Sequence, residues 1–199
     1  MARRRQADRE RILRAAAARF AEVGTLQARL DEVAAQADVA RGTLYSHFPS
    51  KEALVLALMG PVLKDAVAGM DRVDRARTAQ ARVSAALQLY LQLWARHPDA
   101  LRLSHRLMTT QDVAAAAQLH LPFVLRMVAV FSTVGRAGIL RASSPELAAR
   151  TLARVAVPLL ELYVPVPGGE TLFVEAVSGL LLKESPRTVP ARRRTPRSG

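Results

Sequence analysis

The stretch Ala40-Arg-Gly-Thr-Leu-Tyr-Ser-His-Phe48 gathers side chains suited to recognition chemistry on one short segment. On a helix, Leu44 and Phe48 fall at i,i+4 and form an apolar anchor. Arg41, Thr43, Tyr45 and His47 take the other face, and all four are donors that could reach base edges or phosphates. Gly42 costs about 0.8–1 kcal/mol of helix stability relative to alanine. Its missing side chain in return lets a duplex approach the backbone closely. Just beyond, Ser50 is a good N-cap for a helix opening at Lys51. There a helix N-terminus and an ammonium can share one phosphate. Each residue also has a plainer reading: Tyr45 as a core aromatic, and His47 as a solvated surface histidine.

These residues need elements to hold them, and the pattern is helical almost throughout. Ile12, Ala16, Phe20 and Val23 share one face of a helix over about 7–23, which Gly24 ends. Leu30, Val33, Ala34 and Ala37 mark a second short helix, and 40–48 a third. The link Ala37-Asp38-Val39 is too tight for anything but a turn. That is helix-turn-helix spacing, in which the second helix enters a major groove. An ordinary helical hairpin has the same spacing, and the residue types favour the former. The fourth helix is interrupted at Gly60-Pro61, because Pro61 cannot donate to the carbonyl of Ala57. That point is either a hinge or a simple helix end.

Further helices are expected over about 74–97, 98–108 and 110–136, with Thr109-x-x-Asp112 as a capping box for the last. Ser143-Ser144-Pro145-Glu146 starts another, running to about residue 164, which Pro158 should kink or shorten. A loop at 165–169 precedes a final helix to about 183. The Pro-, Arg- and Ser-rich segment 186–199 has no apolar anchor and is expected to be disordered. Period-two strand patterns and internal repeats are absent from the sequence. The fold class is all-α.

The 199 residues are half hydrophobic and carry a net charge of +12. That length suits one ordinary domain, or a small one joined to a medium one. The absence of cysteine excludes disulfides, thiol catalysis and cysteine-held zinc or iron–sulfur sites. No apolar signal segment follows Arg3-Arg4-Arg5, and the apolar stretch 53–63 is shorter than the roughly 18 residues of a membrane span. A soluble cytoplasmic protein with no membrane partner is the expectation.

Charge is concentrated at the ends. Residues 1–51 hold 10 basic and 6 acidic side chains, and residues 183–199 hold 6 and 1. A basic domain of this kind puts nucleic acid first among partner classes, with charge kept for solubility as the alternative. No Walker, Gly-x-Gly-x-x-Gly, Gly-x-Ser-x-Gly or His-Glu-x-x-His motif occurs. Asp71 and Asp74 read as a solvated helix end. An enzyme is not expected, nor a cofactor. His97, His105 and His120, without cysteine or i,i+4 spacing, are a poor basis for a metal site.

Residues 11–58 resemble the DNA-binding domain of the TetR family of bacterial transcriptional regulators. The matching stretches are Ile12-Leu-Arg-Ala-Ala16, Phe20-Ala-Glu-Val-Gly24, Glu32-Val-Ala34 and, above all, Val39-Ala-Arg-Gly-Thr-Leu-Tyr-Ser-His-Phe-Pro-Ser-Lys-Glu-Ala-Leu54. The resemblance implies a homodimer with a DNA-binding unit at 1–51 and an effector-binding and dimerisation unit at 52–185. It implies a sequence-specific regulator of double-stranded DNA, most simply a ligand-released repressor on a palindromic operator. A sequence-tolerant DNA-binding protein without an effector is the alternative.

By position, Arg41, Gly42 and Thr43 fall where relatives contact bases or nearby phosphates, and Tyr45 and His47 where they bind the backbone. Three departures stand out. Ala28-Arg29 replaces hydroxyl residues, and Arg29 could restore a phosphate contact by charge but not the helix cap. Ala40 lacks a hydroxyl at the start of the recognition helix. Asp31 sits where relatives are often basic, so it would repel phosphate or select a cytosine amino group.

An effector pocket is likewise implied by resemblance. Its candidate lining is Tyr90, Trp94, His97, His105, Met108, His120, Phe123 and Met127, for a largely apolar small molecule. Ordinary helical core explains the same periodic positions. The candidate dimer faces are Leu152, Val155, Leu159 and Leu162 on one helix and Phe173, Val177, Leu180 and Leu181 on the next, pairing as four helices across a two-fold axis. The alternative is that these faces bury within one subunit.

Overall fold

The computed structural model describes residues 2–25, 27–110 and 114–183, with side chains outside 108–119. The 186–199 tail lies outside the described residues, as do the side chains of the Thr109–Asp112 capping box. The 3.6-residue periodicity becomes nine α-helices among those residues, with an antiparallel bridge between Leu140 and Leu182.

Helix α1, Ala2–Val23, starts earlier than its apolar pattern suggests. Nothing in Arg3-Arg4-Arg5-Gln6 breaks a helix, and Gln6 bonds Glu10 one turn on at 2.7 Å. Gly24 ends it at φ 82°, returning its N–H to the Phe20 carbonyl at 3.1 Å. Helices α2 (Leu30–Gln36) and α3 (Arg41–His47) follow, and the turn between them passes through Asp38 at φ 53°. Ile12, Ala16 and Phe20 from α1, Val33 and Ala34 from α2, and Leu44 from α3 close a buried core. Arg19 clamps α1 to α2 by pairing with Glu32 (2.9 Å), and it also pairs with Glu22 on its own helix (2.8 Å).

Helix α4, Lys51–Arg75, runs unbroken through Gly60-Pro61, against the expected interruption. Pro61 removes one backbone bond, but Met59, Val62 and Leu63 on either side are buried, and that packing holds the helix together. At 25 residues, with a window of mean hydropathy 1.6, α4 is long and apolar enough to cross a membrane, longer than the 53–63 stretch alone suggests. Its apolar face from Leu54 to Val73 is instead buried within the protein, against α5 (Ala79–Arg96) and α7 (Ala114–Arg136). Helix α6 (Pro98–Thr110) packs on α4, α1 and α8 (Pro145–Tyr163), and α9 (Gly169–Leu181) packs on α8 and α5. Ser144 caps α8, accepting from the Leu147 N–H at 3.1 Å, and α8 continues past Pro158.

The α8–α9 turn is tight. Gly168 sits at φ 73°, and a methyl on Gly169 would run into the Tyr163 backbone carbonyl. Gly169→Ala should therefore destabilise by at least about 1–3 kcal/mol, since backbone cannot step aside as a side-chain end can. Thermal unfolding checks this: an unchanged midpoint contradicts it.

Candidate nucleic-acid interface and ligand cavity

Helix α3 stands on Leu44, fully buried, and on Phe48 just past its end, 3% exposed. The face opposite carries Arg41, Gly42, Tyr45 and Ser46 outward. Tyr45 is 38% exposed, so it is not a core aromatic. Nothing lies within 4 Å of where a Gly42 side chain would begin, leaving the backbone open to a partner. Thr43 and His47 are half-buried at the edges of this face, His47 with its ring tilted 6.2 Å from Phe48.

Arg29, Arg41 and Lys51 share a second feature. Arg29 is the N-cap of α2, and Arg41 and Lys51 are the first residues of α3 and α4. A cation at a helix N-terminus opposes the helix dipole, a cost of about 0.3–1 kcal/mol that a bound anion reverses. Arg29 gives α2 no side-chain cap, as its type suggests; its N–H donates to Glu32 at 3.4 Å. Glu32 is held below the ordinary carboxylate range, first by its hydrogen bond from Arg19. Ser50 caps α4, accepting from the Ala53 N–H at 3.2 Å.

Asp31, expected to repel phosphate or select a cytosine amino group, meets a side chain of α3. Its Oδ1 lies 3.0 Å from Arg41 Nε, while the Arg41 guanidinium lies 5.7 Å from the centre of the Tyr45 ring. The pair is invisible in helical periodicity because it bridges two helices. The signal available was opposite charge at the starts of two helices joined by a tight turn.

A cavity of about 80 Å³ lies in the helical body, lined by α4, α5, α6, α7 and α8. Of the candidate pocket residues, Tyr90, His105, His120, Phe123 and Met127 line it together. Tyr90 and Phe123 meet edge to face at 6.1 Å. Burial pushes the Tyr90 phenol up, keeping it neutral. The polar pole is Ser104 Oγ against His120 Nε2 at 2.6 Å, both residues buried. His105 Nδ1 lies 3.4 Å from the Ala153 carbonyl, an acceptor that places a proton on that nitrogen.

Trp94 and His97 are elsewhere, and the Met108 side chain lies outside the described residues. Trp94 packs under the Arg102 guanidinium at 4.6 Å, which in turn pairs with Glu161 and Asp99. His97 Nε2 pairs with Asp65 Oδ2 at 2.9 Å, joining the end of α5 to α4. That hydrogen bond, above all, holds Asp65 below its ordinary carboxylate range. A lowered folded-state pKa gives stability present above the unfolded value, about 3.9, and lost as pH falls through the folded value. Asp65→Asn should accordingly flatten the acid limb of a stability–pH curve; an unchanged limb contradicts it.

Periodicity alone did not single out Ser104, nor Ala149 and Ala153 of α8, whose small side chains leave the space. The available signal was alanine recurring on one face of an otherwise leucine- and valine-rich helix. The candidate dimer residues also divide. Leu152, Phe173, Val177 and Leu181 are at most 1% exposed and belong to the subunit's own core, so they cannot meet a partner. Val155 and Leu159 are half-buried, and Leu162 and Leu180 are exposed. Leu147, Val166 and Leu172 are exposed as well.

Comparison with known proteins bears on this geometry. Residues 12–58 match the model for bacterial regulatory proteins of the tetR family. The HTH-type transcriptional regulator EthR of Mycolicibacterium smegmatis is 32% identical over 98 residues, 48% of this chain and 45% of that protein. The chain thus matches less than half the length of that relative. Solved structures share the fold, two of them as follows. The ketosteroid transcriptional regulator KstR2 of Mycobacterium tuberculosis aligns with a TM-score of 0.67 at 21% identity, over 88% of this chain and 95% of that one. AibR in complex with isovaleryl coenzyme A and operator DNA aligns with a TM-score of 0.67 at 18% identity, over 87% and 97%. With its helix-turn-helix, the segment 12–58 is thus similar to the DNA-binding domain of bacterial regulatory proteins of the tetR family.

Proposed function

We propose that this chain is a homodimeric, ligand-released repressor that reads a palindromic operator through α3. The observation that carries it is the outward display of Arg41 and Tyr45 on a short helix pinned by Leu44 and Phe48. Arg41, Gly42 and Thr43 would contact bases or adjacent phosphates, and Arg29, Tyr45, His47 and Lys51 the backbone. Residues 1–51 would form the DNA-binding unit and 52–185 the effector-binding and dimerisation unit. Such a protein works where the DNA is, in the cytoplasm.

The exposed apolar residues of α8 and α9 support a dimer. Leu147, Val155, Pro158 and Leu162 follow one helical stripe on α8, and Leu172, Ala176, Gly179 and Leu180 one on α9. Small residues in the second stripe would let partner helices approach closely. Two such pairs make a four-helix interface.

The cavity supports a compact, largely apolar effector with one hydrogen-bonding group for the Ser104–His120 pole. At about 80 Å³ it must widen to admit more than a few carbon atoms, so binding favours a different helix arrangement. Two routes lead from it to the DNA-binding unit. α4 carries Val62, Leu63 and Ala66 in the lining and begins at Lys51. α6 carries Ser104 and His105 in the lining, while Arg106 Nη1 donates to the Phe20 carbonyl of α1 at 3.4 Å. An effector releases DNA only as far as it binds the released arrangement more tightly.

Footprinting on the DNA upstream of the protein's own coding sequence, with and without candidate small molecules, tests this reading. A protected palindrome that a ligand clears supports it; protection indifferent to sequence supports the sequence-tolerant alternative. Lys51→Ala should weaken binding to all sequences and reduce the salt slope by about one unit per half-site. A loss confined to one sequence would contradict a phosphate role for Lys51.

A further inference from the structure

We infer that Asp31 is a positioning residue for sequence reading, setting the direction in which Arg41 presents its guanidinium to a base pair; this rests on the DNA-binding reading above. A carboxylate on a surface that must meet phosphates weakens binding to every duplex, so it demands a compensating role. The geometry supplies one. Asp31 Oδ1 faces the Nε edge of Arg41 at 3.0 Å, and the Tyr45 ring lies 5.7 Å from the guanidinium carbon. The fork is thus held between a carboxylate on α2 and a ring on its own helix.

Arg41 nonetheless keeps 68% of its side chain exposed, so the restraint acts at its Nε edge and leaves the side chain accessible. Bidentate recognition of guanine O6 and N7 needs two parallel N–H groups, and the two Nη groups supply such a pair when the Nε edge is turned inward. Asp31 Oδ1 is itself buried and receives no aligned hydrogen bond, so the contact steers the arginine by charge without locking it. A steered arginine loses less rotamer freedom on binding than a free one. The same carboxylate repels the phosphates of a sequence that offers no guanine in register. Specificity is then gained from both sides, by aiming at the right site and by weakening the wrong ones.

The test is binding-site selection from a random duplex library with wild-type, Arg41→Ala, Asp31→Asn and Asp31→Glu full-length proteins, followed by affinities for the selected site and its single-base variants. Wild-type should select guanine at one position of each half-site, and Arg41→Ala should lose that preference. Asp31→Asn should lose discrimination at the same position by at least about fivefold. It should bind random DNA as tightly as wild-type or more tightly, while other positions keep their preference. Asp31→Glu, which retains the charge, should recover part of the discrimination.

Three outcomes overturn the inference. One is Asp31→Asn discriminating as wild-type does; another is its losing preference at a position that Arg41→Ala leaves intact, which would make Asp31 a direct reader. If Asp31→Asn instead weakens random and selected DNA equally, its role is structural. A wild-type protein that selects nothing overturns the DNA-reading proposal itself, which separates that failure from the other three.

Discussion

Arg41→Ala is expected to leave folding unchanged and to cost a dimer about 2–6 kcal/mol of affinity for its preferred site. Each bidentate arginine–base contact is worth about 1–3 kcal/mol of discrimination, and a two-fold symmetric protein makes the contact twice. Folding is spared because the Arg41 side chain is mostly exposed and its ion pair with Asp31 is a surface pair of small net worth. The loss should be uneven across sequences. Random duplex loses only the charge of one arginine per half-site, whereas the selected site also loses base reading. Removing Arg41 leaves the Asp31 carboxylate uncompensated on the proposed DNA-facing surface, which adds to the penalty. Fluorescence anisotropy with selected and random duplexes, alongside thermal unfolding, measures all three quantities. Equal losses on both duplexes would make Arg41 a backbone contact only.

Leu162→Glu combined with Leu180→Glu is expected to convert the proposed dimer to a folded monomer and to lower palindrome affinity by about 10²–10⁴, the usual worth of bivalent engagement. Both side chains stand clear of the subunit core, Leu162 at 63% and Leu180 at 45% exposure. Glutamate at either position therefore costs little in the monomer, while four carboxylates buried across an apolar two-fold interface would prevent association. Leu152→Ala is the informative contrast. Leu152 is fully buried inside the subunit, so its loss should cost about 2–5 kcal/mol of folding stability. Sedimentation at micromolar protein, read beside unfolding curves, distinguishes the two. A double variant that remains dimeric would place the interface elsewhere.

The helices were legible because their signals are local. Gly24, Ser50, Ser144 and the Leu44–Phe48 spacing each fix a boundary or an anchor through interactions within a few residues. Proline was over-read in α4. Pro61 and Pro158 each delete one backbone bond, yet α4 and α8 continue because burial on neighbouring turns outweighs the loss. The buried and exposed faces of α3 were legible for a similar reason, since Leu44 and Phe48 assign inside and outside for the residues between them.

Relations between helices were less so. An apolar stripe on α8 does not say whether it faces its own subunit or another, and the structure gives Leu152 to the core and Leu162 to the surface. The cavity depends on where side chains are small, at Ala149 and Ala153, which a search for aromatic and ionisable residues passes over. Asp31 illustrates the same limit. Its type suggested an effect on DNA, but its 3.0 Å approach to Arg41 depends on how two helices meet.

The central claim is that α3 reads sequence, and selection of wild-type protein on a random duplex library at about 0.15 M salt tests it most directly. The account predicts enrichment of a palindrome whose half-sites lie about one helical turn apart, ~34–36 Å, with guanine preferred at one position of each half-site. Recovery of unenriched sequence, bound as tightly as any selected site, would contradict it.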